Sequence, residues 1–424
     1  MAETAAYTTS KIEASMITLA TSAPPSDEEK IQRESPQAQN ATIPQTRPAI
    51  LLEFTAALND EEEFQLELQQ SQPRSIALSF PEGGLSAWLV VFSGFCLIAA
   101  TFGLGSCIGL FQSYWQSHQL STYSSRDIGW ISSTQIFLTL FLGVQIALSV
   151  VSHWFEARRG LATGVAFMGT SLGGIMFPLA LNPILERLSW AWAMRLLSLI
   201  VFVFVVFGNI FIKGRLPTGK QGGVISLKCF WDLRFAWATV GIACFEFVLY
   251  TAIGLLPTYA LEQGFGHQAS FNAIAVFNAG SGLGRYTAGL VADYYGRFNC
   301  MALFVLISIF ATFALWLPVG HNVALFYVMV SIFGFGSGSV ISLAPVCIGD
   351  LCKVSEYGQW YGTSYSAVAF ATLISIPIAA ELQSAAGTTA YVAFSGGILV
   401  LALLSILIAR WACLDYKWIW KAKI

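Results

Sequence analysis

Glu246 and Arg285 each interrupt a long run of apolar residues. Glu246 lies about eleven residues inside the run Phe235–Ala260, roughly 16 Å along a helix. Arg285 precedes Asp293 by about eight residues, roughly 12 Å. A carboxyl enclosed by apolar groups can carry a proton, because a low dielectric penalises its charge. A guanidinium stays charged and offers a rigid fork that suits a carboxylate. The chemistry on offer is therefore proton carriage and anion recognition. Helical spacing adds two polar neighbours: Tyr250 one turn beyond Glu246, and Asn278 two turns before Arg285. Asp293, Gly296 and Arg297 form a third group, an acid and a base flanking a tight turn. Opposite charges placed so can close in one rigid-body arrangement and open in another.

The elements that hold these groups are helices in lipid. The chain has 424 residues, 55% of them hydrophobic and 11% charged, with a mean hydropathy of +0.64. Soluble domains carry about 25% charged residues, so this chain lacks the charge to cover a water-facing surface. Apolar runs at 87–114, 128–152, 160–184, 190–212, 235–261, 268–292, 299–318, 322–349, 358–380 and 390–412 each approach the ~20 residues of a span. The spacing predicts an all-α membrane bundle of about ten transmembrane helices. Pro318-Val319-Gly320-His321-Asn322 marks the turn that divides the longest run. A charge at membrane depth is costly and faces a cavity or a partner. That makes Glu246 and Arg285 the functional candidates. If their helices both face the centre, the two can also pair with each other.

Other classes find no support. The net charge of −2 and the lack of a Lys/Arg cluster argue against nucleic acid. Gly334-x-Gly336-x-Gly338 sits inside an apolar span and lacks a following Lys-Ser/Thr, so it is a packing stripe rather than a nucleotide loop. The eight cysteines are scattered without a CxxC pair, and the four histidines are well separated. No cofactor, metal or enzymatic activity is expected.

Residues 1–80, rich in Ser, Thr, Gln, Pro and Glu, are expected to form a disordered cytosolic tail. Counting Lys and Arg in the connections places Arg158, Arg159, Lys213, Arg215, Lys220, Lys228, Arg234, Arg297 and Lys353 on one side and only Arg126 and Arg187 on the other. The positive-inside rule then puts both termini in the cytosol. The basic segment 214–234 separates a bundle over 81–213 from a six-helix bundle over 235–424.

Several motifs carry a family resemblance. Pro81-Glu82-Gly83-Gly84-Leu85-Ser86-Ala87-Trp88 resembles the opening signature of the monocarboxylate porter family, in its fungal-type form, within the major facilitator superfamily. Ser152-His153-Trp154-Phe155-Glu156-Ala157-Arg158-Arg159-Gly160 resembles that family's junction between its fourth and fifth helices. Gly169-Thr170-Ser171-Leu172-Gly173-Gly174 and Trp192-Ala193-Met194-Arg195 continue the pattern. Asn278–Arg285 followed by Gly289–Arg297 resembles the eighth helix and its cytosolic loop. The resemblance runs from Pro81 to about Cys413.

One departure stands out. Trp130–Gln135 resembles the start of a second helix, yet Ser149–Phe155, one helix length on, resembles the end of a fourth. About two helices of the first half are absent by this comparison, with the junction near Gln145–Ile146.

The resemblance implies a secondary transporter with alternating access. Its expected solute is an organic acid or a hydrophobic acidic metabolite, moved with protons or without them, with efflux of a secondary metabolite as the favoured direction. By the same resemblance Arg285 holds the substrate-binding position, and Asp293, Gly296 and Arg297 form the conformational latch. The animal-type acid and lysine are replaced by Ser281 and Ser106. Glu246 is the substitute proton-coupling group, and Tyr250 and Asn278 line the same pocket. The bland alternatives are a snorkelling Arg285, a structural Glu246 and a plain turn at Gly296. Arg195 is expected to clamp two helices together. The partners expected are the lipid bilayer and a small organic anion. The plasma membrane is the expected location, with the vacuolar membrane as the alternative. The rival function is a non-transporting sensor or degenerate transporter copy, which the absent helices motivate.

Overall fold

The computed structural model describes residues 81–142, 150–215, 225–417 and 422, all within one compact unit spanning Ser79–Ile424. The expected tail over 1–80 and the Gln145–Ile146 junction lie outside these residues.

Every regular element among the described residues is helical. We number the long helices α1 (Leu85–Ser117), α2 (Ser125–Leu142), α3 (Arg159–Arg187), α4 (Trp190–Phe211), α5 (Leu233–Glu262), α6 (Gly266–Tyr295), α7 (Arg297–Trp316) and α8 (Val323–Leu351). A last helical stretch, Tyr357–Cys413, is broken at Gly387, whose φ of 83° no helix accepts. We treat its parts as α9 (357–386) and α10 (388–413). The ten helices match the ten apolar runs. Seven of the helical stretches are long and apolar enough to cross a membrane by composition alone. α2 and α6 fall short of that measure. α6 carries the buried Asn278 and Arg285, as a helix lining a polar site would.

Close packing follows from glycine. On α3, a side chain at Gly169 would strike the Phe95 carbonyl of α1, and one at Gly173 would strike Gly103. One turn of α1, Ala99–Gly103, is π-helical at this crossing. The glycines of α8 do the same: Gly334 meets the Phe277 backbone of α6, Gly336 meets Ser308 of α7, and Gly338 meets Ser281 of α6. With no water to expel, such contacts rest on van der Waals fit, which small residues permit.

Several contacts among the described residues join the first four helices to the last six, α3 on α8 among them, where Arg159 meets Gly349. α1 meets α5 where Gly109 abuts Ile253 and Pro257. α2 meets α9 through Gly129 on Ile376 and Phe137 on Phe370, whose ring centroids lie 5.3 Å apart. α3 meets α6 through Gly160, Gly164 and Gly174. α4 stays at the rim: 11% of its most apolar window is buried, against 78% for α5. Its outward face carries Leu199, Phe202, Val206, Phe207 and Ile210.

Candidate functional site

α5, α6, α3 and α1 converge on a small cavity of about 20 Å³, room for about one water. Its lining includes Tyr250, Asn278 and Arg285, together with Ser106, Thr170 and Phe102. Helical periodicity had placed the first three on matching faces, and tertiary packing brings the faces together. Arg285 is 2% exposed and Asn278 1%. The Asn278 amide donates to the Gly174 carbonyl at 3.2 Å and to Ile274 at 2.9 Å, and its oxygen faces the Ser106 hydroxyl at 3.4 Å.

Arg285 does not pair with Glu246. Its guanidinium donates to the Ser171 hydroxyl of α3, and its Nε has no hydrogen-bond partner. The pairing that two centre-facing helices would allow is not made, and Tyr250 lies within electrostatic reach of both charges. A buried guanidinium held by a neutral hydroxyl keeps donors free for an anion, which a carboxylate partner would have occupied. Glu246 is 3% exposed and lies against the Tyr365 hydroxyl of α9. Ser281 faces Gly338 of α8.

The residues expected to form a latch, Asp293, Gly296 and Arg297, take partners other than each other. Asp293 does not use Arg297 as its hydrogen-bond partner. Its carboxylate accepts from the amides of Gly160 at 3.0 Å and Leu161 at 3.1 Å, so it caps the first turn of α3. A helix start presents unpaired amides and a partial positive charge, which favours an anion there. Arg297 pairs with Asp350 at the end of α8 and donates to the Glu156 carbonyl at 3.0 Å. Gly296 supplies the positive φ of 95° that turns α6 into α7. Glu82 closes the same end of the bundle, accepting from the amides of Glu156, Ala157 and Arg158 at 2.8, 2.8 and 3.2 Å.

Arg195 is a correction. It is exposed and lies 4.9 Å over the Trp192 ring of its own helix, so it clamps nothing across helices. Asp350 and Tyr365 are absent from the sequence motifs, and Ser171 and Glu82 stand in them without an assigned role. Asp350 carries a signal of its own, an acid at the end of an apolar run, and Tyr365 belongs to a four-residue tyrosine repeat.

The chain matches the Major Facilitator Superfamily over residues 94–350 and 268–421. It belongs to that superfamily. A riboflavin transporter of Saccharomyces cerevisiae is 30% identical over 423 residues, covering 80% of this chain and 81% of the relative. An aspyridones efflux protein of Emericella nidulans is 28% identical, covering 73% and 74%. Among solved structures, the facilitator FucP in its outward conformation aligns with a TM-score of 0.50 at 13% identity, covering 76% of this chain and 99% of that one. This facilitator is thus an integral membrane protein with the superfamily's helical fold, and it acts as a secondary transporter. The small cavity lies where α1 and α3 of the first four helices meet α5, α6 and α8 of the last six.

Proposed function

We propose that the solute is an organic acid or a hydrophobic acidic metabolite, bound through Arg285 and exported across the plasma membrane, with both termini cytosolic. One observation carries the reading: Arg285 is buried at the junction of the helix groups, with a neutral serine as its partner and one nitrogen unpaired. An uncompensated buried cation is costly, so its retention favours an anionic ligand. Tyr250 and Asn278 contribute hydrogen bonds to the same solute. The apolar remainder, Phe102, Leu249, Ile253, Phe277 and Ile341, favours a weakly polar body. The cavity is too small for such a solute in this arrangement, so binding requires the helices to part. Asp293, Gly296 and Arg297 act as the latch that holds the closed arrangement. Glu246 is the proton-coupling group.

We further propose the monocarboxylate-porter subfamily, with two helices absent from the first half. The alignment with the riboflavin transporter spans 423 residues, whereas 80% of this chain is about 339. The chain therefore lacks counterparts for about 80 aligned positions, enough for two helices and their connections. A groove of about 570 Å³ between α1, α2 and α4, lined by Leu104, Phe111, Trp115, Gln135, Trp190 and Met194, supports the same reading. The shortened half also supports a rival, a sensor or degenerate copy without transport.

Flux in reconstituted vesicles separates the two. Anionic solutes should cross faster than through protein-free vesicles, and Glu246→Gln should flatten the pH dependence. Zero flux across a broad panel of organic acids, from protein that is folded and inserted, would leave the sensor.

A further inference from the structure

Three tyrosines on α9 repeat at four-residue spacing: Tyr357, Tyr361 and Tyr365. That spacing stacks them on one helix face. Their ring centroids are 5.7 and 4.5 Å apart, and their exposures are 4%, 0% and 1%. The stack begins at the end of the bundle where the latch closes and runs inward to Glu246.

The ladder of rings ends beside Glu246. Tyr365 lies against both the Glu246 carboxyl and the Tyr361 hydroxyl, and Tyr361 in turn feels Tyr357. Yet the Tyr361 and Tyr365 hydroxyls and Glu246 Oε2 are enclosed without a hydrogen-bond partner. Buried polar groups are normally satisfied, and a row of exceptions asks for a reason. Packing alone would be served better by phenylalanine, which has no hydroxyl to desolvate.

We propose that Tyr357, Tyr361 and Tyr365 form a proton relay between Glu246 and the face of the protein that carries Arg297 and Asp350. The inference rests on the reading of Glu246 as the proton-coupling group. As the hydroxyls turn into contact, water at that face gives a proton to Tyr357 while Tyr357 passes its own to Tyr361. Tyr361 does the same for Tyr365, and Tyr365 protonates the Glu246 carboxylate. One proton enters and one arrives, each phenol ends neutral, and nothing is oxidised or reduced. The charged and titratable groups around the path are few. Tyr250 of α5 faces Glu246 and Tyr361, with Arg285 of α6 beyond it. Arg159 of α3, Asp350 of α8 and Cys352 flank Tyr357 at the outer end. Arg159 and Tyr357 meet over Gly349. The mouth of the relay therefore sits beside the latch.

The test needs no solute, because the proton is the probe. The full chain is reconstituted in phosphatidylcholine vesicles with the Tyr357 face outward. The outside pH is then dropped, and protonation of Glu246 is followed by its carboxyl infrared band, assigned by its loss in Glu246→Gln. Tyr361→Phe and Tyr357→Phe keep the rings and remove one hydroxyl each. The relay predicts that either change slows the band's rise by roughly a hundred-fold, the scale of a lost proton-transfer group, with the final amplitude unchanged. A wild-type rate in both variants overturns the relay and leaves Glu246 as a titrating group. A change in amplitude without a change in rate shows that the hydroxyls only tune Glu246, and overturns it too. Absence of any band that Glu246→Gln removes sinks the Glu246 reading and the relay with it.

Discussion

The Asp293 carboxylate, at the end of α6, accepts a hydrogen bond from the Gly160 amide at the start of α3, 3.0 Å away across the junction of the first four and last six helices. An acid on one helix group thus completes the first turn of a helix in the other. Parting the helices here unpairs two amides and an anion together.

Asp293→Ala should therefore weaken the closed arrangement by about 1–2 kcal/mol, the scale of a lost helix cap. Asp293→Asn should fall between, since it keeps an acceptor and loses the charge that the helix start favours. Hydrogen exchange at Gly160 and Leu161 measures this directly. Equal protection in wild type and Asp293→Ala is the result that discards the cap.

Arg285→Ala should abolish flux of anionic solutes while membrane insertion stays intact. Arg285→Lys should keep the charge and lose the planar fork, giving a rise in solute Kd of about ten-fold or more. Vesicle flux and direct binding to the purified protein read both. Unaltered flux in Arg285→Ala removes Arg285 from the solute site.

Glycine packing predicts a contrast within the last six helices. A methyl group at Gly284 would run into the Phe335 carbonyl of α8, while one at Gly397 meets nothing within 4 Å. Gly284→Ala should cost about 1–3 kcal/mol through forced separation of α6 and α8. Gly397→Ala should be neutral or stabilising by about 0.5–1 kcal/mol. Thermal unfolding in detergent ranks them, and the reverse order refutes the packing account.

Asp232 caps α5, accepting from the Arg234 amide at 2.9 Å, and its side chain also meets the Arg234 guanidinium. The Arg234 hydrogen bond holds this carboxyl below the usual carboxylate range. A group depressed in the folded state stabilises above its unfolded pKa of about 4 and loses that contribution as pH falls through its folded value. The stability gap between wild type and Asp232→Asn should thus be constant near neutral pH and shrink under acid conditions. Melting temperatures of both proteins across that range check the sign. A gap that widens in acid contradicts it.

The sequence by itself determined that this chain lives in lipid, where the ten long helices of the described residues lie, and which charges sit deep within them. Apolar runs of helix length admit no other reading, because unpaired backbone groups are not tolerated in a bilayer. Periodicity also placed Arg285 with Asn278, and Glu246 with Tyr250, because residues on one helix share a face by geometry alone. What crosses between helices was decided only by tertiary structure. Ser171, rather than Glu246, meets Arg285; Asp350 meets Arg297; and backbone amides meet Asp293. A serine or an amide carries no pattern that names a partner more than a hundred residues away. Such partners follow from how closely glycine lets α3 and α6 approach, and that is a property of two surfaces in contact.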